Sequence, residues 1–297
     1  MFSQALATFQ DYLVRFEQQI NDLNVFPVPD SDTGTNCLVT VRGGLDQITQ
    51  QVQEAGNSSA AQLATAFAQG SSNCALGNSG VIFSAYASGL ADNLTEPVDL
   101  EVWQAALTRA AKAASQAVLT PAQGTMLTVA NAVTESNCTD LNSQLITNSV
   151  NARITLVKTT EMLPELQIAG VVDAGAVVLT LFHDAFAKLV ADENFQELEL
   201  TTPDCEMLPS KGLFEYDGPV HELMFNVFLS AHSKNELISS LPNFGESIAV
   251  SPVTADHDQE KIRIHIHTND PDDVIKLAKE YGLVSDLVLI NLKLQKT

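Results

Sequence analysis

Apolar residues recur every three or four positions from Phe2 to about residue 191, then at every second position beyond residue 212, and this change of period divides the chain. In the first regime Phe2, Leu6, Phe9, Leu13, Phe16 and Ile20 share one face of a helix ending near Asn24. Seven further helices are predicted near 36–54, 58–71, 79–92, 98–118, 122–135, 141–162 and 173–191, parted by breaks rich in Gly, Asn, Pro or Asp. In the second regime residues 222–229, 261–267 and 287–292 read as strands, with helices near 233–241 and 271–281. A polar, aperiodic stretch separates the two. The expected organisation is therefore an all-α domain over 1–195, a linker over 196–212 and a small α+β domain over 213–297.

One break in the helical regime is unlike a simple turn. In Asn24-Val25-Phe26-Pro27-Val28-Pro29-Asp30-Ser31-Asp32-Thr33-Gly34-Thr35-Asn36, two prolines stiffen the approach to Asp30 and Asp32. Thr35 or Asn36 can cap the helix that follows, which would place both carboxylates beside a helix N-terminus that favours anions. Hard oxygen ligands beside such an end suit Mg²⁺ and phosphate, although the same residues also suit a plain capped turn. Gly77-Asn78-Ser79-Gly80, Gly124-Thr125 and Asp173-Ala174-Gly175 open later helices in a similar way. In a ring of antiparallel helices such breaks can converge on one nucleotide.

Composition removes several classes of function. A net charge of −21 opposes nucleic acid or anionic membrane as a partner, and only Arg15 and Arg42 are basic among the first hundred residues. Phosphates bound there must rely on metal ions and backbone amides. No apolar run is long enough to span a bilayer and the N-terminus lacks a basic leader, which points to the cytoplasm. Cys37, Cys74, Cys138 and Cys205 are too scattered for a disulfide framework or a thiolate cluster.

In the second predicted strand, Ile262, Ile264 and Ile266 share the core face, leaving Arg263, His265 and His267 on the other. Imidazoles at i and i+2 can hold Zn²⁺. The competing reading is a pair of solvated or hydrogen-bonded histidines on an exposed sheet face. His221 is the candidate third ligand if its strand pairs with this one, and water or a carboxylate such as Glu222 could be the fourth.

From Leu23 to Asn36 and from Gly77 to Ile82 the chain resembles the DhaL, or DAK2, superfamily, and within it the ATP-binding subunit of bacterial fatty acid kinase. Gly124 to Val129, Val172 to Gly175, Gly245 to Ser247, His265 to Pro271 and Asn291 to Gln295 extend the resemblance in order. It implies an eight-helix antiparallel barrel followed by the family's middle domain, with ATP and two Mg²⁺ ions at one end of the barrel. Carried over, Asp30 and Asp32 hold magnesium, with Asn24 where one branch has a further acid nearby. Thr33 and Asn36 adjoin them, and Gly77, Asn78, Ser79 and Gly80 form the phosphate loop. Gly124, Thr125, Asp173 and Gly175 lie near the nucleotide, and His265 and His267 become zinc ligands. Leu76 stands where the family has an arginine and Ser31 where it has a glycine. Relatives continue into a further C-terminal domain, so this chain is expected to be a shortened form or to work with a separate partner.

The implied activity is ATP-dependent phosphorylation of a protein-bound fatty acid, delivered by a lipid-carrying, DegV-like partner protein. Because such an acceptor carboxylate is already ionised, no base is needed near Asp30, and no histidine precedes His183. The alternatives are a dihydroxyacetone-kinase-like (glycerone kinase) subunit, or else a nucleotide- or lipid-binding regulator weakened in catalysis. A homodimer is compatible with each.

Overall fold

A computed structural model of the chain describes residues 1–135, 137–191, 195–200, 217–256 and 259–293. Residues 201–212 of the expected linker, and Leu294 and Gln295 of the last resemblance segment, lie outside the described residues.

Among the described residues the first part contains nine helices: α1 (Phe2–Asp22), α2 (Thr33–Ala55), α3 (Ala60–Asn73), α4 (Gly77–Asn93), α5 (Leu100–Gln116), α6 (Met126–Ala132), α7 (Leu141–Thr159), α8 (Pro164–Ala169) and α9 (Ala174–Lys188). The predicted 141–162 helix stops at Thr159, and Pro164 starts a separate turn of helix instead. Successive helices from α1 to α5 pack on one another, α6 and α7 follow, and α9 returns against α1 and α7. Aromatic rings fill the middle. Phe9, Phe83 and Phe182 lie 5.4–5.9 Å apart, with Tyr86 against Phe182 and Trp103 against Phe186. No helix among the described residues is long and apolar enough to cross a membrane.

The second part reads β1 (His221–Leu229), α10 (Ala231–Ser240), β2 (Glu246–Asp256), β3 (Gln259–Thr268), α11 (Pro271–Tyr281), β4 (Leu283–Asn291). The sheet is antiparallel in the order β2-β3-β1-β4, two interleaved βαβ halves. Leu223, Phe225, Val227, Ile262, Ile264 and Ile266 form one buried face, covered by Leu237 of α10 and by Val274 and Ala278 of α11.

The other sheet face carries polar and ionisable residues. Glu222, Met224, Asn226, Arg263, His265 and His267 project there, and each is at most 4% exposed. The face is not solvated, because it lies on the helices. Ala249 packs with Ala75 and Val81 at the start of α4, and Met224 Sδ lies 3.2 Å from the Gly77 amide. The chain after α5 also runs along the edge of β2, with Val250 N donating to Ala117 O (2.7 Å) and Leu119 N to Ile248 O (3.3 Å).

Candidate functional site

The loop between α1 and α2 is fastened before it reaches its carboxylates. Buried Asn24 donates to Val28 O (2.6 Å), and its Oδ1 accepts both the Thr33 amide (3.1 Å) and the Thr33 hydroxyl. From α1, Asn21 Oδ1 accepts the amides of Gly34 (2.7 Å) and Thr35 (3.1 Å). Helix α2 therefore starts at Thr33 with Asp32 as its N-cap, earlier than the Thr35 or Asn36 cap read from sequence. The anion-binding end expected at α2 is not available, since its first amides are already taken by Asn24 and Asn21. Both polar ends of the Asn24 side chain are likewise committed to the loop.

Asp30 and Asp32 face a cavity of about 30 Å³. Asn78 and Ser79, at the start of α4, form a second wall, and Glu222, His265 and His267 of the sheet form a third. Gly77 takes φ +62° there, and a Cβ on it would collide with the Asn36 amide that leans across from α2. Asp30, Asp32 and Glu222 each place an oxygen within 4.8 Å of the others, and Glu222, His265 and His267 do the same with their ligand atoms. The two residue sets that sequence assigns to separate domains thus form one cluster with Glu222 in common.

His221 is not part of it. In the β1–β3 register Glu222 lies opposite His267 and His221 opposite Thr268, so the pleat turns His221 to the other face. Glu222, rather than His221, joins the two imidazoles, at 3.1 Å from His265 Nε2. Another expectation changes as well. Sequence placed no histidine near Asp30, whereas the docked sheet brings two.

Burial dominates the electrostatics. It pushes the Asp30 carboxyl far above the usual range, and the charges of Asp32 and Glu222 add to the shift. Asp32 is raised by burial and then by Glu222, against a hydrogen bond from Asn36. His267 is held down at about 3 by burial and by the neighbouring His265, so it stays neutral. Three close carboxylates shielded from water repel one another, and either protons or cations must compensate. Asp30, Asp32 and Glu222 fit Mg²⁺, while two imidazoles with a carboxylate fit Zn²⁺. The cavity has room for about two water-sized spheres, enough for ions but not for a nucleotide.

The remaining candidates gather elsewhere. Asp173 caps α9, accepting the Ala176 amide at 2.6 Å, and it also meets the amides of Met126 and Gly175. Thr125 caps α6 beside it, while Gly124 at φ +85° packs against Met162. Gly80 lets α4 approach Thr40 of α2, behind the cavity wall.

The α2 and α4 termini of the helical part frame paired carboxylates, and an acidic and imidazole-bearing sheet face closes them into a cluster that could hold cations. Comparison with known proteins gives the family. The DAK2 domain matches residues 27–188, more than half of the chain, and the FakA-like middle domain of fatty acid kinase matches residues 220–297. The chain belongs to the DAK2 domain family and thus to a family of kinases. An uncharacterized protein of Staphylococcus epidermidis (strain ATCC 12228) is 30% identical over 298 residues, covering 93% of this chain and 52% of the relative. An uncharacterized protein of Staphylococcus aureus (strain USA300) is 28% identical over 301 residues, with the same two coverages of 93% and 52%. The chain spans about half the length of these curated relatives. Among solved structures, the dihydroxyacetone kinase from C. freundii in complex with AMP-PNP and Mg²⁺ superposes with a TM-score of 0.47 at 18% identity, over 63% of this chain and 33% of that one.

Proposed function

We propose that this chain is the nucleotide-binding subunit of a fatty acid kinase, transferring the γ-phosphoryl group of ATP to the carboxylate of a protein-bound fatty acid. The observation that carries the phosphoryl-transfer reading is the meeting of Asp30, Asp32 and Glu222 within 4.8 Å beside the first turn of α4. Phosphoryl transfer asks a protein for positioning and neutralisation of charge. Mg²⁺ held by Asp30 and Asp32 would supply that neutralisation. In the first turn of α4 the amides of Asn78 and Ser79 have no partner inside their own helix and lie next to the carboxylates, so they suit the phosphate chain, while the Gly77 amide is already set against Met224 Sδ. Asn78 and Ser79 would position it, and Gly77 makes room for the Asn36 side chain beside them.

In the reaction a carboxylate oxygen forms a bond to the γ-phosphorus, the bond from that phosphorus to the β–γ bridging oxygen breaks, and ADP leaves. No proton needs to move, because the acceptor is ionised at neutral pH. With His265 and His267 now beside Asp30, the lack of a base does not separate this acceptor from an alcohol. The fatty acid assignment therefore rests on the middle-domain match. The acyl chain would be presented by a separate lipid-carrying protein.

Purified chain, Mg-ATP and a carrier protein loaded with fatty acid, quenched with hydroxylamine, should yield the acyl hydroxamate. Turnover with dihydroxyacetone and none with the loaded carrier would overturn the fatty acid reading. Tight Mg-ATP binding without either product would instead mark a regulator.

A further inference from the structure

Glu222 belongs to both ligand groups at the junction, one containing Asp30 and Asp32 and the other His265 and His267. The tautomer of His265 makes this informative. Its Nδ1 lies 2.9 Å from Ser247 O, which can only accept, so Nδ1 carries the hydrogen. Nε2 faces Glu222 Oε1 at 3.1 Å, a pair that either a proton on Nε2 or a metal ion bonded to both atoms holds together. A metal ion bonded to both atoms at about 2.0–2.1 Å would subtend roughly 100° at that separation, between the octahedral and tetrahedral angles. The buried Asn78 Oδ1, which lines the same cavity, has no hydrogen-bond partner among the described residues.

We propose that Glu222 is a bridging ligand: one carboxylate oxygen serves a cation held with Asp30 and Asp32, and the other serves a second cation held with His265 and His267. The inference rests on the kinase reading for the role of the Asp30 and Asp32 position. The first position is all oxygen and takes Mg²⁺ or Mn²⁺, and the second has two nitrogens and takes Zn²⁺ or Co²⁺. A ligand from the sheet thereby completes a metal position on the helices, and cation binding holds the two parts together.

The test uses the full chain stripped with a chelator, without nucleotide. Mn²⁺ affinity is measured from the free-ion electron paramagnetic resonance signal, and Zn²⁺ affinity by competition with a chromogenic chelator, each metal alone. Wild type should bind one of each, and Glu222→Gln should weaken both at least tenfold while keeping its far-ultraviolet circular dichroism. Asp32→Asn should weaken only Mn²⁺, and the double variant His265→Ala, His267→Ala only Zn²⁺. Glu222→Asp, which keeps the charge but shortens the reach, should also lose both and serves if the Gln variant misfolds. A Glu222 variant that loses one metal only, or wild type that takes up a single cation, would overturn the bridge. Failure of phosphoryl transfer would leave these titrations unchanged, and acyl phosphate formed with one bound metal would keep the kinase while removing the bridge.

Discussion

Ser31 lies at φ +59° between the two loop carboxylates, in the left-handed region where side chains other than glycine's are strained. Ser31→Gly should relieve that strain, offset in part by a freer unfolded chain, for a net gain of about 0.5–1 kcal/mol in thermal unfolding with metal binding unchanged. Beside it, Asp30→Asn removes one of three mutually repelling carboxylates, of which Asp30 and Asp32 are half-buried and Glu222 buried. The metal-free variant should melt at or above the wild-type temperature, yet should lose the stabilisation that Mg²⁺ gives, which for a ligand at a hundred times its Kd is about 2.7 kcal/mol. An unchanged Mg²⁺-dependent melting shift would remove Asp30 from the metal site. Asp173 makes a separate, pH-dependent contribution. Burial lifts its carboxyl from the ordinary 3.8 to about 7 despite the amides of Ala176, Met126 and Gly175. Because the folded value is raised, the stability linked to Asp173 is complete below about pH 3.8 and is lost as pH climbs through about 7. Asp173→Asn should flatten the melting-temperature decline over that window by an amount on the order of 2–4 kcal/mol, and an equal slope in both proteins would refute the assignment.

At the scale of elements, α4 carries the proposed phosphate-binding end and α7 the least expected packing. Ser79→Leu would fill the approach to the first turn of α4, so calorimetry should show weaker Mg-ATP binding with the melting temperature little changed. Unaltered nucleotide affinity would mean that phosphate does not lie there. Helix α7 turns Gln144, Asn148, Ser149, Thr155 and Thr159 inward and leaves Ile146, Val150, Ile154 and Val157 exposed. Asn148, Ser149 and Thr159 each find partners, whereas Gln144 accepts from Gln104 but its own Nε2 has no hydrogen-bond partner among the described residues. Asn148 accepts Trp103 Nε1–H (3.2 Å) and donates to Val133 O (2.5 Å). Asn148→Leu would strand both partners in the core and should cost about 1–3 kcal/mol in chemical denaturation. Strand β2 is absent from the sequence reading because Pro252 lies within it, and an internal proline argues against a strand. The structure accommodates it at the sheet edge, paired to β3 alone at that residue.

Across the whole molecule, the helices and the sheet both line the candidate site, so their contact should be needed for the site and not for either core. Ala249 is fully buried in that contact, against Ala75 and Val81. Ala249→Glu would place an unpaired charge there, a strongly destabilising change for the interface. The radius of gyration from small-angle scattering should rise and the Mg²⁺ response should fall, while circular dichroism keeps its helical signal. An unchanged radius and metal response would show that the sheet face is not required.

What the sequence by itself determined is whatever repeats along the chain or sits within one short segment. The 3.6-residue and two-residue periods located most helices and the central strands, because each element must bury one face. The loop of Asp30 and Asp32, the small residues opening α4, and the shared face of His265 and His267 were likewise visible as local patterns. The pleat also holds the reason that Glu222 and not His221 meets them, but only once the register is known, since a shift of one residue exchanges the faces. Only the tertiary structure decided that the polar sheet face lies on α4 instead of in water, and that Glu222, 190 residues beyond Asp32 (222 − 32), meets the same cavity. Nothing in a local period encodes which surfaces dock. That choice comes from the match between two finished faces, here Ala249 on Ala75 and Val81 and the chain after α5 along the edge of β2.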